Sequence, residues 1–181
     1  MKLVRITEEN LRYAVRIQNT IFPLYNAEAN YTDGVTGKAD NEYYLVYDGK
    51  ECIGITGLYH YDIDPESAWL GWFGVLEQYR RRHYGTGIIR LYEDMARSCG
   101  YRDARIYTDR YDNDTAIAFY TSCGYTPEIY DNPDDPACYE YPVLIFSKAL
   151  YDEDVPPWNS RSIGLTAQMV KETMPMRGDD E

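Results

Sequence analysis

Three consecutive arginines, Arg80 to Arg82, stand just ahead of two glycines, Gly85 and Gly87, at the start of a helical pattern. Apolar residues recur after the glycines at steps of three and four, which predicts one buried helix face that ends at Gly100. A helix N-terminus carries unpaired N–H groups and the positive end of the helix dipole, so it favours anions. Glycine lets the backbone approach a phosphate closely. The arrangement therefore predicts an anion site at the start of this helix.

The charge balance of the chain strengthens that interpretation. The chain has 181 residues and a formal net charge of -12, so three adjacent arginines reverse the local sign of the charge. A solvated basic turn is the alternative. The combination of arginines, glycines and a helix start favours a phosphate-binding turn over that alternative.

A second informative segment follows this helix. Alternating residues from Ala104 to Thr108 predict a short strand, and Asp112, Asn113 or Asp114 is expected to cap the next helix. The apolar face of that helix places Tyr120 toward the core, and Gly124 ends it. Taken alone, Tyr120 is better interpreted as a packed aromatic residue with a satisfied hydroxyl group.

Together, the two segments resemble a known family. Arg82-x-x-Gly85-x-Gly87 resembles the Q/R-x-x-G-x-G/A motif of the GNAT superfamily of acetyl-CoA-dependent N-acetyltransferases. The segment from Asn113 to Tyr120, followed by Gly124-Tyr125, resembles the later signature of that family. One helix and one strand separate the two motifs, as in the family, and the resemblance covers residues 2 to 150. The stretch before Gly85 is longer than the usual version, with the surplus at the arginines.

The resemblance implies a fold. It is α/β (α+β): a mixed, mostly antiparallel central sheet of about six or seven strands, flanked by about four helices. The fourth and fifth strands are expected to splay apart, so that the pantetheine arm of coenzyme A lies between them. Gly71 and Gly74, within the predicted strand from Ala68 to Leu76, agree with a bulge or a close backbone approach there. Tight packing beneath neighbouring aromatic residues is the alternative for these glycines.

The resemblance also implies roles for individual residues. Acetyl-CoA would be the acyl-donor cosubstrate, held at its pyrophosphate by the arginine–glycine turn, and no metal is expected. Tyr120 would protonate the departing thiolate, and Asn113 would contact the pantetheine arm or its bound water. The residues expected to contact the cofactor are Val75, Arg80, Arg81, Arg82, His83, Tyr84, Gly85, Thr86, Gly87 and Asn113.

The general base and the acceptor depend on weaker patterns. No carboxylate stands midway along the predicted fourth strand, and Glu66, Glu77 and Asp109 are the nearest candidates, with a water-mediated base as the alternative. The loop from Asp131 to Pro136 is acidic and flanked by tyrosines, which suits a cationic amine. A solubilising surface loop is the alternative. The residues predicted to contact the acceptor are Tyr25, Tyr31, Asp134 and Asp135.

Composition limits the remaining possibilities. An acidic chain is a poor candidate for nucleic-acid binding. No secretory signal follows Met1, and no apolar run is long enough to span a membrane. Four cysteines without a paired spacing predict a reducing, cytoplasmic location and no zinc site, with Cys99 and Cys123 buried on helix faces.

We expect one acetyltransferase domain over residues 1–150. Residues 151–181 then form an extension that is partly disordered, or packs on the domain or on a partner subunit, which leaves a homodimer open. Two function classes follow. The first is an N-acetyltransferase acting on a primary amine, a cationic small molecule or a peptide amine. The second is a non-catalytic acyl-CoA-binding or protein-interaction module. A tyrosine at the position of the acid favours the enzyme.

Overall fold

The computed structural model describes residues 1–111, 113–135, 137–140 and 142–164. Seven strands and five helices follow one another along the chain. The strands are β1 (Lys2–Arg5), β2 (Glu42–Asp48), β3 (Glu51–Tyr61), β4 (Asp64–Val75), β5 (Asp103–Asp109), β6 (Thr126–Ile129) and β7 (Val143–Ala149). The helices are α1 (Leu11–Ile21), α2 (Glu28–Thr36), α3 (Tyr84–Ser98), α4 (Asp114–Ser122) and α5 (Ala137–Glu140), with a short 3-10 turn at Glu77–Tyr79.

One mixed sheet contains all seven strands in the order β1-β2-β3-β4-β5-β7-β6. Neighbouring strands are antiparallel except β4 and β5, which run parallel. Helices α1 and α2 pack over one face of β2 and β3, while α3 and α4 pack over the opposite face of the sheet. The predicted mixed, mostly antiparallel sheet with flanking helices is confirmed.

The first helix begins later than its sequence pattern indicates. Thr7, followed by Glu8 and Glu9, has the composition of a helix N-terminus, but α1 starts at Leu11 after a turn. The Asn10 side chain organises this turn, since its Oδ1 accepts a hydrogen bond from the Thr7 N–H at 2.8 Å and its Nδ2 donates to the Arg5 carbonyl at 3.0 Å. Asparagine side chains commonly stabilise such turns, which delays the helix by one turn.

Two further details of the helices differ from the pattern. The third helix starts at Tyr84, so both glycines of the arginine–glycine turn lie inside its first turn rather than before it. Cys99 is exposed rather than buried, because it follows the last helical residue and points away from the packed face. Cys123 is half-buried.

The parallel strands separate soon after they meet. Strands β4 and β5 pair only from Ser67 to Trp69, opposite Asp103 to Arg105. Strand β4 also carries a bulge, because Gly57 of β3 faces Gly71 while Ile55 faces Gly74. Two β4 residues therefore oppose one β3 residue, the arrangement that bends a strand. The predicted splay between the fourth and fifth strands is confirmed.

The start of the C-terminal extension packs on the domain. Trp158 is completely buried, and its ring centroid lies 5.0 Å from that of Trp69 on β4. It stands between two guanidinium groups, with Arg105 at 5.2 Å and Arg161 at 4.0 Å from the ring centroid. Residues 151–164 therefore cover the half of this sheet face that α1 and α2 leave open. Residues 165–181, the remainder of the predicted extension, lie outside the described part of the chain.

Candidate active site

Between the splayed strands lies a gap whose aromatic wall joins three elements. Phe73, directly after the first bulge residue of β4, stacks on Phe119 of α4 with centroids 5.6 Å apart and an interplanar angle of 9°. Tyr120 lies beside both rings, with its centroid 6.1 Å from that of Phe73. A Cβ atom at Gly85 would lie 3.3 Å from the Phe119 ring. The start of α3, the bulge of β4 and the tyrosine of α4 therefore meet at this gap.

The turn that precedes α3 has the backbone geometry of an anion site. Arg81 and His83 both adopt left-handed conformations, with φ of 60° and 61°. This conformation costs energy for residues other than glycine and often accompanies function. Consecutive N–H groups in such turns converge on anions, and the first N–H groups of a helix add to them. The turn also accommodates the surplus residues at the arginines.

The side chains of this turn leave positive charge at the surface. Arg80, Arg81 and Arg82 are exposed, and none forms an ion pair within the described residues. Arg80 donates from Nε to the Val75 carbonyl at 3.0 Å, which ties the turn to the end of β4. The Tyr84 hydroxyl donates to Asp48 at 2.7 Å. The predicted cofactor residues from Val75 to Gly87 therefore follow one another from the end of β4 to the first turn of α3, whereas Asn113 lies apart from them at the start of α4.

Tyr120 is buried, with 7% of its surface exposed. Burial raises the pKa of its hydroxyl group well above the ordinary value of 10, and charge repulsion with Cys123 raises it further. The phenol therefore stays protonated at any physiological pH. A protonated hydroxyl beside the gap is chemically able to donate a proton to a leaving group.

Asn113 connects α4 with β5. It occupies the N-cap position of α4, and its Nδ2 donates to the Thr108 hydroxyl oxygen at 2.6 Å. No side-chain cap bond forms to the helix itself. Asp112, another predicted cap, lies outside the described residues. Asn113 therefore helps to hold Tyr120 at a defined distance from the open edge of β5.

Asp109 lies at the splayed end of β5, where β4 no longer pairs with it. It accepts a hydrogen bond from the Tyr25 hydroxyl at 3.1 Å. The Tyr25 ring lies 6.1 Å from Trp72, a bulge residue of β4 with a φ of 33°. The structure thus brings Asp109 and Tyr25, two of the predicted site residues, together at the gap.

The other carboxylate candidates for the base lie elsewhere. Glu66 stands at the opposite, paired end of β4, exposed and 3.7 Å from the Arg102 guanidinium. Trp72 is six residue steps further along the strand, a distance of about 20 Å. Glu77 is exposed in the 3-10 turn. The direction of β4 places Glu66 away from the gap. Asp109, which lies at the gap, is therefore a better candidate for the general base than either glutamate.

Two of the predicted acceptor residues, Tyr31 and Asp135, occupy unexpected places. Tyr31 is buried in the core against Tyr43, with ring centroids 4.8 Å apart, because α2 turns it inward. Asp135 is buried and accepts a hydrogen bond from the Tyr130 hydroxyl at 2.9 Å, so it holds its own loop together. Asp134 alone is exposed. The acidic loop therefore uses Asp135 for structure, and Tyr31 does not line an open surface.

The sequence patterns missed several residues near the gap. Trp72 and Tyr107 carry no motif, although both are aromatic and lie in the splayed region. Alternation along β5 placed Tyr107 opposite Ile106, but it indicated no role. Among the described residues, no group of histidine, cysteine and carboxylate side chains is arranged to hold a metal ion. Over the same residues, no helix is long and apolar enough to cross a membrane.

Comparisons with known proteins agree with this geometry. The family model described as the GNAT acetyltransferase family matches residues 6–125. The chain belongs to this family, and the family and fold indicate an acyltransferase of the kind that binds coenzyme A. A comparison with curated protein sequences finds no match.

Solved structures share the fold at low sequence identity. The ribosomal-protein-S18-alanine N-acetyltransferase of Escherichia coli is 15% identical, with a TM-score of 0.64 over 87% of this chain and 98% of that one. A chimeric spermidine N-acetyltransferase from Vibrio cholerae is 15% identical, with a TM-score of 0.64 over 83% and 96%. An aminoglycoside 6'-N-acetyltransferase complexed with coenzyme A is 15% identical, with a TM-score of 0.62 over 86% and 100%.

Proposed function

We propose that this protein is an N-acetyltransferase that moves an acetyl group from acetyl-CoA to a primary amine carrying positive charge. The observation that carries this proposal is the gap itself, where an anion-binding turn, an unpaired strand edge and Tyr120 converge. Structural neighbours that act on spermidine and on aminoglycosides support a cationic acceptor. The absence of a metal from the proposed reaction follows from the chemistry, since amines attack thioesters directly.

Cofactor binding is assigned to the arginine–glycine turn. Backbone N–H groups from Arg82 to Gly87 would hold the pyrophosphate, while the arginines neutralise its charge. The pantetheine arm would add to the open edge of β4 beyond Trp69, where β5 no longer occupies the backbone hydrogen-bonding groups. Asn113 would contact this arm or its bound water.

In the reaction, the neutral amine attacks the thioester carbonyl carbon and a C–N bond forms. The carbonyl oxygen becomes an oxyanion, for which the backbone N–H groups near Phe73 and Val75 are the proposed donors. The C–S bond then breaks, and the thiolate takes the Tyr120 proton to give free coenzyme A. The low-dielectric gap raises the basicity of the thiolate as it raises the pKa of Tyr120, so the two remain matched.

The amine must lose a proton before or during attack. Asp109 is the nearest carboxylate at the gap, and we assign it to accept this proton, directly or through a water molecule. The hydrogen bond from Tyr25 orients its carboxylate. The nitrogen of the tetrahedral adduct loses its remaining surplus proton as the amide forms, and Asp109 passes the protons that it accepts to solvent. The phenolate of Tyr120 recovers its proton from solvent after product release, which closes the cycle.

The test is thiol release from acetyl-CoA in the presence of a panel of amines. We expect turnover with cationic primary amines and acetylated amine in equal amount to released thiol. Binding of acetyl-CoA without thiol release from any amine would instead support a non-catalytic acyl-CoA-binding module. Cell fractionation tests the remaining proposal, which is that the enzyme acts in the cytoplasm.

A further inference from the structure

Three tyrosines outside the motifs lie on one face of the sheet beside the gap, and we call this aromatic surface the tyrosine recess: Tyr59, Tyr61 and Tyr107. On β5, Ala104 and Ile106 pack into the core beneath α3 and α4. Successive strand residues point to opposite faces, so Tyr107 lies on the other face with Asp109. Tyr59 and Tyr61 belong to β3. The recess therefore opens on the face from which Tyr25 approaches Asp109.

The tyrosines of the recess are enclosed by protein and still reachable from solvent. Tyr107 is 38% exposed, yet burial is the main cause that raises the pKa of its hydroxyl group. Tyr59 and Tyr61 are half-buried, and burial likewise raises their pKa values. The strand register makes them neighbours, because Tyr59 pairs with Trp69 of β4 and Trp69 pairs with Arg105 of β5, two residues before Tyr107 on the same face. The charge of Tyr107 also raises the pKa of both other tyrosines.

Packing holds these rings in place. Gly57 and Gly71 face each other across β3 and β4, and a Cβ atom at Gly71 would lie 3.4 Å from the Tyr59 ring. The Tyr61 ring stands at 82° to that of Tyr59, with centroids 5.5 Å apart, and at 4.9 Å from Trp69. Behind Trp69 lies the buried Trp158 of the extension. Rings fixed before binding lose little entropy when a ligand arrives.

The charge beside the recess is negative. Asp109 raises the pKa of the Tyr107 hydroxyl through its charge, which places a carboxylate next to the phenol. The raised pKa values keep the three phenols neutral, so each ring retains the electron-rich face that attracts cations. An aromatic surface with a carboxylate at one end suits an organic cation, and it repels an anionic group.

We propose that the tyrosine recess binds a second positively charged nitrogen of the acceptor, an ammonium or guanidinium group separate from the amine that is acetylated. This inference rests on the proposed function for the reacting amine, but binding of the cation requires no chemistry. The acceptor class then consists of molecules with at least two cationic nitrogens. Recognition comes from aromatic faces beside Asp109 rather than from the acidic loop.

The test is a calorimetric titration without an acyl donor. The probes are choline and an uncharged alcohol of the same shape, in which carbon replaces the ammonium nitrogen. We expect choline to bind about 2- to 30-fold more tightly, the range that cation–π contact provides. Tyr107→Leu should remove this preference, whereas Tyr107→Phe, which keeps the ring, should retain most of it. Tyr151→Leu is the matched control, since Tyr151 is 50% exposed on the extension, and it should behave as wild type.

The outcomes separate this inference from the proposed function. Equal affinity for the two probes in wild type, or an unchanged preference in Tyr107→Leu, would overturn the assignment of the recess. If simple alkylamines still give thiol release in that case, the proposed acetyltransferase activity stands. The opposite outcome is also distinguishable. If wild type prefers choline, Tyr107→Leu loses this preference and no amine releases thiol, the assignment of the recess stands and the proposed acetyltransferase activity is refuted.

Discussion

Replacing Tyr120 with phenylalanine removes one hydroxyl group and leaves the ring packing in place. The ring lies 5.5 Å from the centroids of both Phe119 and Phe146, contacts that phenylalanine also makes. We therefore expect the free energy of unfolding to stay within about 1 kcal/mol of wild type. Any large loss of activity in Tyr120→Phe then reports on the hydroxyl group.

Turnover of this variant should fall by about 10²- to 10⁴-fold, the usual contribution of a positioned general acid. This corresponds to about 3 to 5 kcal/mol on the activation barrier. The assay is thiol release at saturating acetyl-CoA, with cofactor affinity measured separately and expected to be unchanged. Tyr125→Phe is the matched control, because its ring lies 6.5 Å from Tyr120 in the same core. Wild-type turnover in Tyr120→Phe would mean that Tyr120 is only a packed aromatic residue.

The pH profile gives an independent check on the same residue. Because burial raises the pKa of Tyr120 above 10, its proton remains in place throughout the neutral and moderately alkaline range. Turnover should rise with pH as the amine substrate loses its proton, with no decline from Tyr120 ionisation below pH 10. A descending limb below that pH, present in wild type and absent in Tyr120→Phe, would contradict the raised pKa of Tyr120.

Three further perturbations test other parts of the structure. Gly85→Asp and Gly87→Asp should each weaken acetyl-CoA binding by at least about tenfold in calorimetry, because each adds negative charge to the arginine–glycine turn. Circular dichroism should show that the fold is retained, and full affinity in both variants would mean that this turn does not bind the cofactor. Trp158→Ala should lower the free energy of unfolding, measured in urea, by about 3 to 5 kcal/mol, whereas Tyr151→Ala at the exposed surface should not. If Trp158→Ala is as stable as wild type, packing of the extension does not stabilise the sheet. Asp134→Asn should raise the KM for a cationic amine less than about threefold, and this effect should vanish in high salt. A large change in KM that does not depend on salt would mean that the acidic loop is part of the acceptor site.

Short-range patterns were sufficient for most of the architecture. The helix after the glycines and the buried position of Tyr120 follow from periodicity and turn residues, which are local properties. The sequence pattern gave the wrong helix start where a side chain binds the backbone and prevents the local pattern from forming. Asn10 binds the backbone ahead of α1 and delays the helix, although Thr7 has the composition of a cap.

The interior of the acidic loop shows a limit of a different kind. Its aspartates are equivalent in the sequence, yet Asp135 is buried against Tyr130 while Asp134 is exposed. A run of carboxylates predicts surface charge, and only the path of the chain decides which of them turns inward. The same holds for Arg105, completely buried with Asp64 at 3.3 Å, whose partners lie far away in sequence.

The sequence by itself determined the family and predicted an anion turn and an acid candidate, because residues close along the chain form each of these features. Tertiary structure alone placed Asp109 beside Tyr25, separated Glu66 from the gap and brought Tyr59, Tyr61 and Tyr107 to one face of the sheet. These outcomes depend on the register and direction of strands that pair across long stretches of chain. The physical reason is that pairing is set by packing of the whole sheet, which no local pattern contains.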